Sequence, residues 1–405
     1  MSEAKPKQYF MEDGQMDFEV QVILGGCHYG AADAGEVLST IERIPPGNFE
    51  AWYREWLRTA ERLEETAAGC FSAGRSVSAR RTFLRAASYF SAAAVFIDGT
   101  EDPSRGVKAW KRHMSCWEKF TALIDPPAER VSIPYPGTPM PGWFFSPARG
   151  GGPRAVIIFN NGSDGPTSAM WTCGVAGALE RGYSALVFDG PGQNSMLWLH
   201  GIPFRPDWEK VIAPVVDFLH GRPEVDPDRI ALSGISQGGY WILRALAFER
   251  RIAAGIADPG VIDVAAAFFR QLPPEMVSLL DSGEKEAFNT AMEEGIRRMG
   301  PRVRQNIEWR MKPYRARSCY DLFRMVREYN VREEIGRISC PVFVADPEDE
   351  QFWPGQSGEV YAALSCPKTI VRFTAEEGAN WHCQPRARGL YDQRMFDWLA
   401  TVMPA

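Results

Sequence analysis

The sequence predicts an α/β fold, a mostly parallel β-sheet with helices on both faces, preceded by an all-helical region. Three observations support this prediction. Residues 1–128 carry helical patterns and no convincing strand pattern. From residue 129 onward, short apolar runs alternate with helix-length segments, which is typical of parallel strands joined by right-handed crossovers. A glycine-rich turn at 234–238 joins one of these strands to the helix that follows.

The first region, residues 1–128, is predicted to be an N-terminal helical cap domain. Asn48 is a good N-cap residue for a helix that carries Trp52 and Trp56 at helical spacing. Small residues opposite large ones in the next segments favour closely packed helices. The predicted helices cover about 48–63, 79–94 and 104–120. Pro126-Pro127 ends the domain.

The second region, residues 129–405, is predicted to be the catalytic domain and begins with an antiparallel hairpin. Apolar runs predict strands at 131–134, 143–145, 155–159, 183–188, 229–233, 252–256, 341–345 and 369–373. Helices are predicted at about 171–181, 208–219, 241–248 and 390–399. Residues 262–336 are mostly helical and charged, and are longer than one crossover helix requires. We therefore predict a helical lid insertion there.

The turn Gly234-Ile235-Ser236-Gln237-Gly238 lies between an apolar strand and a helix. Strand, Gly-x-Ser-x-Gly and helix in this order form the nucleophile elbow of the α/β-hydrolases. Glycines permit the tight turn, and the serine is left in a strained conformation with its oxygen exposed. The sequence thus predicts Ser236 as a nucleophile; the alternative is a plain glycine-rich turn.

A serine nucleophile needs a base, usually a histidine oriented by a carboxylate. In this fold the chain order is serine, acid, histidine, and His382 is the only histidine after Ser236. The acid is expected after the next-to-last strand, where the loop reads Asp346-Pro347-Glu348-Asp349-Glu350. Loops of this fold usually read Gly-x-x-Asp, so counting from the strand end favours Asp349. The other three acidic residues of the loop remain alternatives.

Acyl transfer also requires hydrogen-bond donors for the developing oxyanion. The backbone N–H of Gln237, the residue after the nucleophile, is the expected first donor. The second is expected from the loop after the 155–159 strand, and Ser163 is the preferred residue there. Gly162 and Asp164 are alternatives, and both are also candidate substrate contacts. A simple glycine turn is the other interpretation of this loop.

Further candidate substrate contacts surround these motifs in sequence. Tyr240 follows the elbow and Trp381 precedes His382. His28 and Tyr29 lie in an unusual glycine-rich stretch near the N-terminus, although a lone Cys-His pair is more often structural. Asp189-Gly190-Pro191-Gly192-Gln193 is expected to have a structural role at the floor of the site.

The composition excludes several classes of function. The 405 residues are 45% hydrophobic and 24% charged, with a net charge of −6 and no long basic stripe, which disfavours nucleic acid as a partner. No stretch of 18 uncharged apolar residues and no signal peptide is evident, so we expect a cytoplasmic protein that does not bind membranes. The eight cysteines are scattered, which favours reduced and mostly buried thiols. No motif implies a metal or cofactor.

The order of these residues resembles one branch of the α/β-hydrolases, the 2,6-dihydroxypseudooxynicotine hydrolase and the fungal yellowish-green pigment hydrolases of polyketide chain shortening. The segments that carry the resemblance are the Trp52/Trp56 helix, Ala86–Phe90, Phe188–Gln193, the Ser236 elbow and Glu377–Cys383. It implies a helical domain over the sheet with the site at their interface, often in a homodimer. Asp346-Pro347 stands where the branch usually has glycine.

The resemblance further implies hydrolysis of C–C bonds next to ketones, or of esters, in bulky aromatic or polyketide substrates. With the motifs, it predicts a serine hydrolase of a small-molecule acyl compound, with Ser236 at the bottom of a cleft. One alternative is an acyltransferase or cyclase that uses the same triad in a biosynthetic pathway. The other is a non-catalytic binding protein on a hydrolase scaffold, and the serine, histidine and acid together argue against it.

Overall fold

A computed structural model describes residues 8–147 and 152–405 of the chain. Within it, the chain forms two compact units. The first takes in the described part of Met1–Ala128 together with Trp171–Ala176 and Pro385–Gly389. The second takes in the described remainder, and contains the sheet. The sequence prediction had placed both short segments of the first unit in the catalytic region.

The first unit is helical. Its α-helices are α1 (Gly14–Gly25), α2 (Ala34–Ile41), α3 (Phe49–Ser72), α4 (Ser76–Ala94) and α5 (Arg105–Leu123). The Asn48 side chain accepts a hydrogen bond from the backbone N–H of Ala51 at 2.8 Å, so the predicted N-cap of α3 is confirmed. Helices α1 and α2 were not predicted. Each begins after an aspartate, Asp13 or Asp33, whose side chain caps it, and that capping signal was present in the sequence.

The core of the first unit contains both large aromatic side chains and alanines. Trp52 and Trp56 are fully buried on α3, and the Trp52 indole donates a hydrogen bond to the Ala92 carbonyl at 2.7 Å. His113 on α5 is also buried; its Nδ1 lies 2.9 Å from the Ala87 carbonyl oxygen. Burial lowers the pKa of His113 to about 4, so its imidazole is neutral and structural at neutral pH. The aromatic stripes of this region are therefore core.

The second unit is built on one eight-stranded sheet with the order β1-β2-β4-β3-β5-β6-β7-β8. The strands are β1 (Glu129–Ile133), β2 (Met140–Phe145), β3 (Arg154–Asn160), β4 (Ser184–Phe188), β5 (Val225–Ile235), β6 (Ala254–Asp258), β7 (Val342–Pro347) and β8 (Lys368–Phe373). The hairpin β1–β2 is antiparallel, as predicted, and β2 pairs antiparallel with β4. All other neighbours are parallel.

The remaining helices connect the strands or form the insertion. They are α6 (Ala176–Glu180), α7 (Asn194–Trp198), α8 (Glu209–His220), α9 (Gly238–Leu246), α10 (Ala266–Phe269), α11 (Pro274–Asp281), α12 (Lys285–Met299), α13 (Pro301–Tyr314), α14 (Cys319–Val326), α15 (Gln356–Ala363) and α16 (Arg388–Val402). Helices α10 to α14 lie in the predicted insertion, which is helical as expected. The predicted helix at 171–181 is wrong as one element. Gly174, with a φ of 144°, breaks it into a π-helical turn and α6.

Buried aromatic residues fill the layer between the sheet and its helices. Trp208 and Trp241 stack with ring centroids 4.3 Å apart, and both are fully buried. The Trp208 indole donates to the side-chain oxygen of Asn160 at 2.8 Å, at the end of β3. This hydrogen bond links the core to the loop that was predicted to supply an oxyanion donor.

All eight cysteines are free thiols in the structure. The prediction that most of them are buried is wrong, because only Cys116 and Cys383 are, while the others are partly accessible. Within residues 8–147 and 152–405, no helix combines the length and the apolar character that crossing a lipid bilayer requires.

The buried alanines of α3 offer a direct test of the helical packing. Ala67 is fully buried, whereas its neighbour Ala68 is exposed on the same helix. We expect Ala67→Leu to destabilise the protein by about 1–3 kcal/mol, because the added methylene groups have no space. Ala68→Leu, with the same change of volume, should alter stability by less than about 0.5 kcal/mol. Thermal unfolding midpoints measure both, and equal midpoints would contradict the packing described here.

Candidate active site

The turn between β5 and α9 holds Ser236 in a conformation that non-glycine residues seldom adopt. Its φ is 58°, and its backbone N–H donates to the Asp258 carbonyl at 2.6 Å. A Cβ atom at Gly234 would lie 2.3 Å from the Gly238 carbonyl oxygen, so this position accepts only glycine without a shift of the backbone. The turn therefore has the strained geometry expected of a nucleophile elbow.

The structure brings Ser236 and His382 into contact. The Nε2 atom of His382 lies 2.9 Å from the Ser236 Oγ. His382 is in the loop between β8 and α16, and its backbone N–H donates to the Gln351 side-chain oxygen at 2.8 Å. The rings of Phe352 and Trp353 pack against the imidazole, with centroids 4.6 and 5.7 Å from its own. The imidazole is thus fixed both by hydrogen bonds and by aromatic packing.

The carboxylate partner of His382 is Glu350. The imidazole Nδ1 lies 2.9 Å from each Glu350 carboxylate oxygen. The same carboxylate accepts hydrogen bonds from the backbone N–H groups of Phe352 at 2.9 Å and Trp353 at 3.2 Å. The preferred prediction, Asp349, is wrong as the histidine's partner. Its carboxylate instead accepts a hydrogen bond from the Asn380 side chain at 2.6 Å.

The error came from the position of the strand end. The prediction ended the strand at residue 345, but β7 continues to Pro347, and Asp346 and Pro347 pair with Arg372 and Phe373 of β8. Counted from Pro347, the fourth place falls on Gln351, next to Glu350, so the count no longer favours Asp349. The other acidic residues have partners of their own. Asp346 forms a 2.6 Å ion pair with Arg372, and the Glu348 carboxylate accepts from the Ala375 N–H at 2.7 Å.

The surroundings of Glu350 keep it ionised. Burial acts to raise the pKa of its carboxyl group. The charge of His382, the hydrogen bond to His382 and the backbone N–H groups of Phe352 and Trp353 outweigh burial, and the pKa is lowered from its usual value. An ionised carboxylate at Nδ1 places the imidazole proton there and leaves Nε2 free to accept the Ser236 proton.

The loop after β3 packs directly against the nucleophile. A Cβ atom at Gly162 would lie 2.9 Å from the Ser236 Cβ, so only glycine permits this approach. The Gly162 N–H donates to the side-chain oxygen of Asn161 at 2.8 Å, which removes Gly162 from the candidate oxyanion donors. Gln237 immediately precedes α9, and the first N–H groups of a helix have no acceptor within it. Gln237 and Ser163 therefore stay the preferred candidate donors.

Gln193 holds this loop in place. Its side-chain amide donates to the carbonyls of Asn161 and Gly162 at 2.9 and 2.8 Å, and its oxygen accepts from the Gly190 N–H at 2.9 Å. Nearby, the buried Asp189 carboxylate accepts a hydrogen bond from the Ser195 hydroxyl at 2.6 Å. These contacts support the structural role that the sequence analysis gave to residues 189–193.

The remaining predicted contacts differ in their surroundings. Tyr240 is wrong as a substrate contact, because it is fully buried and its hydroxyl donates to the Pro206 carbonyl at 2.9 Å. The Trp381 indole nitrogen is buried and has no hydrogen-bond partner among the described residues. His28 and Tyr29 belong to the first unit, where their rings form an edge contact at 4.5 Å. A substrate contact of Trp381, His28 or Tyr29 stays a prediction.

Sequence reasoning missed Tyr314 of α13. The Tyr314 hydroxyl lies 3.5 Å from the side-chain oxygen of Gln237, next to the nucleophile. Helix α13 lies in the predicted insertion, but no motif there singles out this side chain. Across residues 8–147 and 152–405, no cluster of three or more histidine, cysteine or acidic residues could hold a metal ion.

Residues 150–386 match the model of the alpha/beta hydrolase family. The chain belongs to this family. The match spans β3 to β8 and includes Ser236, Glu350 and His382. The fold class predicted from the sequence is confirmed, and the chain is a hydrolase.

Curated relatives match nearly the whole chain. Hydrolase acrC of Aspergillus aculeatus is 28% identical over 94% of this chain and 95% of its own length. Alpha/beta hydrolase xenA of Xenoacremonium sinensis is 30% identical over 87% of this chain and 85% of its own. The 20-hydroxy-prefusarin hydrolase FUS2 of Gibberella moniliformis is 28% identical over 95% and 96%. The match to fungal hydrolases confirms one part of the resemblance stated from the motifs.

A solved structure confirms the other part of the resemblance, the similarity to the 2,6-dihydroxypseudooxynicotine hydrolase. The 2,6-dihydroxy-pseudo-oxynicotine hydrolase aligns with a TM-score of 0.75 over 95% of both chains, at 22% identity. At this identity the similarity establishes a shared fold. The alignment also extends beyond the family match, so the fold is shared outside residues 150–386 as well.

The elbow should tolerate no side chain at Gly234. We expect Gly234→Ala to destabilise the protein by about 1–3 kcal/mol, because the new Cβ atom would overlap the Gly238 carbonyl oxygen. Gly358→Ala is the matched control, because a Cβ atom at this exposed position of α15 meets nothing within 4 Å. Its thermal midpoint should be unchanged or slightly higher. Equal midpoints for the two variants would contradict the tight turn.

The acid assignment can be tested with two isosteric changes. We expect Glu350→Gln to lower kcat/KM for an aryl ester by about 10^3-fold or more, because the imidazole loses its ionised partner. Asp349→Asn should change it by less than about tenfold, since that side chain makes one hydrogen bond to Asn380. Steady-state kinetics of the two purified variants measure this difference. A larger loss of kcat/KM in Asp349→Asn than in Glu350→Gln would instead identify Asp349 as the acid of the triad.

Proposed function

We propose that this hydrolase uses Ser236, His382 and Glu350 as a catalytic triad. Its substrate would be a bulky aromatic or polyketide-like acyl compound, cleaved at an ester or at a C–C bond next to a ketone. One observation carries the proposal. Hydrogen-bond distances of 2.9 Å connect the Ser236 Oγ to the His382 Nε2, and the His382 Nδ1 to Glu350. This is the arrangement that activates a serine for acyl transfer.

The reaction would begin with proton transfer from Ser236 to the His382 Nε2 as the serine Oγ attacks the carbonyl carbon. The Glu350 carboxylate would stabilise the imidazolium that forms. Backbone N–H groups of Gln237 and Ser163 would donate hydrogen bonds to the oxyanion. The imidazolium would then return its proton to the leaving group. Water, activated by the same histidine, would release the acyl group as an acid.

Support for a small organic substrate comes from the relatives. Two of them are named after small organic compounds, 20-hydroxy-prefusarin and 2,6-dihydroxy-pseudo-oxynicotine. The side chains around the base agree with an apolar, aromatic substrate, because Phe352 and Trp353 enclose the His382 ring. The homodimer that the resemblance implies, and the cytoplasmic location, remain part of this proposal.

Replacement of the nucleophile tests the mechanism. We expect Ser236→Ala to abolish covalent labelling by a fluorophosphonate and to lower turnover of aryl esters by about 10^3-fold or more. Ser278→Ala, at an exposed position of α11, should leave both unchanged. Intact-protein mass spectrometry measures the label, and spectrophotometry the turnover. Labelling that survives in Ser236→Ala would refute the assignment of the nucleophile.

Turnover in 18O-water separates the hydrolase from an acyltransferase or cyclase. A hydrolase incorporates one oxygen of water into the acid that it releases, whereas transfer to a substrate hydroxyl incorporates none. We expect the labelled acid from both esters and β-diketones. An unlabelled ester or lactone product would favour transfer, and tight binding without turnover would favour a binding protein.

A further inference from the structure

Two cavities adjoin each other where α13 ends and α14 begins. Their volumes are about 730 and 430 Å³, and both are lined by Arg315, Ala316 and Arg317. Because they share these three residues, the two cavities form one groove, which we name the interhelical groove. Ser236 and His382 do not line it.

The interhelical groove is strongly cationic. Its lining contains five cationic side chains and two carboxylates, which are Lys285, Lys312, Arg315, Arg317 and Arg324 on one side of this balance, and Glu308 and Asp321 on the other. The whole chain, by contrast, has a net charge of −6. The local charge is therefore opposite in sign to that of the molecule, and it favours a negatively charged ligand.

Both carboxylates of the groove already have cationic partners. Asp321 forms a 2.8 Å ion pair with Lys285, and the Glu308 carboxylate lies 3.9 Å from the Arg304 guanidinium. The three guanidinium groups of the lining are exposed, and within residues 8–147 and 152–405 no ion pair or side-chain hydrogen bond engages them. These three groups are therefore available to a ligand.

The short link between α13 and α14 is fixed at both ends. The Arg315 N–H donates to the Lys312 carbonyl at 3.0 Å, which closes the last turn of α13. The Ser318 Oγ accepts a hydrogen bond from the Asp321 N–H at 3.2 Å and caps α14. Arg315 and Arg317 thus extend from a backbone that is already ordered, which reduces the entropy lost when a ligand binds.

The groove also has an apolar side. Met311 and Ala316 line the larger cavity, and Ala316 and Met325 line the smaller one. All three side chains are partly buried and pack against the hydrophobic core of the second unit. Methionine side chains adapt readily to the shape of an apolar group. A ligand that fills the groove would therefore contact cations with one part and an apolar surface with another.

We propose that the interhelical groove binds an organic phosphate monoester, with the phosphate at Arg315 and Arg317 and the organic group against the methionines. A phosphate monoester carries a charge of about −1.5 to −2 near pH 7, together with three acceptor oxygens. A carboxylate carries a single charge and compensates less of the cationic excess. Guanidinium groups also form paired hydrogen bonds with phosphate oxygens. This site is separate from the proposed triad and does not depend on it.

Isothermal titration calorimetry with hexyl phosphate tests the site. We expect the native protein to bind hexyl phosphate at least about tenfold more tightly than inorganic phosphate, because burial of two methylene groups accounts for such a factor. Hexanoate, which has a single charge, should bind more weakly than hexyl phosphate. Added sodium chloride should weaken binding, because it screens the charges. The absence of saturable binding, or equal affinities for hexyl phosphate and inorganic phosphate, would overturn the proposal.

Paired substitutions identify where the ligand binds. Arg315→Gln with Arg317→Gln should lower the affinity for hexyl phosphate by about tenfold or more, because two charge-assisted donors are lost. Unfolding midpoints without ligand should equal that of the native protein, which shows that the variant is folded. Arg297→Gln with Arg298→Gln removes the same charge at exposed positions of α12 that line neither cavity. This control should change the affinity by less than about twofold. Equal losses in the two variants would indicate general attraction to the surface and would overturn the site.

Vesicles distinguish a soluble phosphate ester from a lipid headgroup. Co-sedimentation with vesicles of phosphatidic acid and phosphatidylcholine should be weak, and the same for the native protein and for the Arg315→Gln, Arg317→Gln variant. Strong sedimentation of the native protein that this variant loses would assign the groove to a membrane surface. That result would overturn the proposal of a soluble ligand.

Discussion

The carbonyl group of Asp258, at the end of β6, connects the two loops that carry the nucleophile and the base. It accepts the backbone N–H of Ser236 at 2.6 Å and the thiol of Cys383 at 3.4 Å. Cys383 directly follows His382, and both Ser236 and Cys383 have positive φ values of 58° and 57°. One acceptor thus holds two strained turns together. The short distance between Ser236 and His382 depends on this backbone arrangement as much as on the two side chains.

A second set of hydrogen bonds joins the acid loop to the base loop. The Asp349 N–H donates to the Asn380 carbonyl at 2.8 Å, and the Asn380 side chain donates back to the Asp349 carboxylate. The His382 N–H is held by the Gln351 side chain. Asp349 therefore positions the loop, while Glu350 faces the imidazole. The two loops are fixed against each other on both sides of the buried Glu350–His382 pair, so that this pair loses little further freedom when it forms.

The sequence predicted the parts of the site that follow from local rules. The elbow has a fixed spacing, and His382 is the only histidine in the required region. The acid was mispredicted because its position was counted from a strand end, and strand ends depend on pairing. Residues 346 and 347 stay in the sheet because β8 offers them partners, Arg372 among them. The contact between Tyr314 and Gln237 could not be predicted, because it depends on where α13 folds.

The placement of α13 is what gives its side chains a defined relation to Ser236. The Phe204 N–H donates to the Pro313 carbonyl at 2.8 Å, and the Phe204 ring packs against Tyr314 and Trp241 with centroids 5.2 and 4.9 Å apart. The end of this helix is therefore anchored to the same core that supports the elbow.

A triad alone does not choose between ester and C–C cleavage, because both begin with the same attack. The choice depends on what receives the departing electron pair, and electrostatic stabilisation of that charge is effective only if it is already in position. Side chains outside the triad therefore have to supply that stabilisation, and the anchored end of α13 is one part of the insertion that lies next to the elbow.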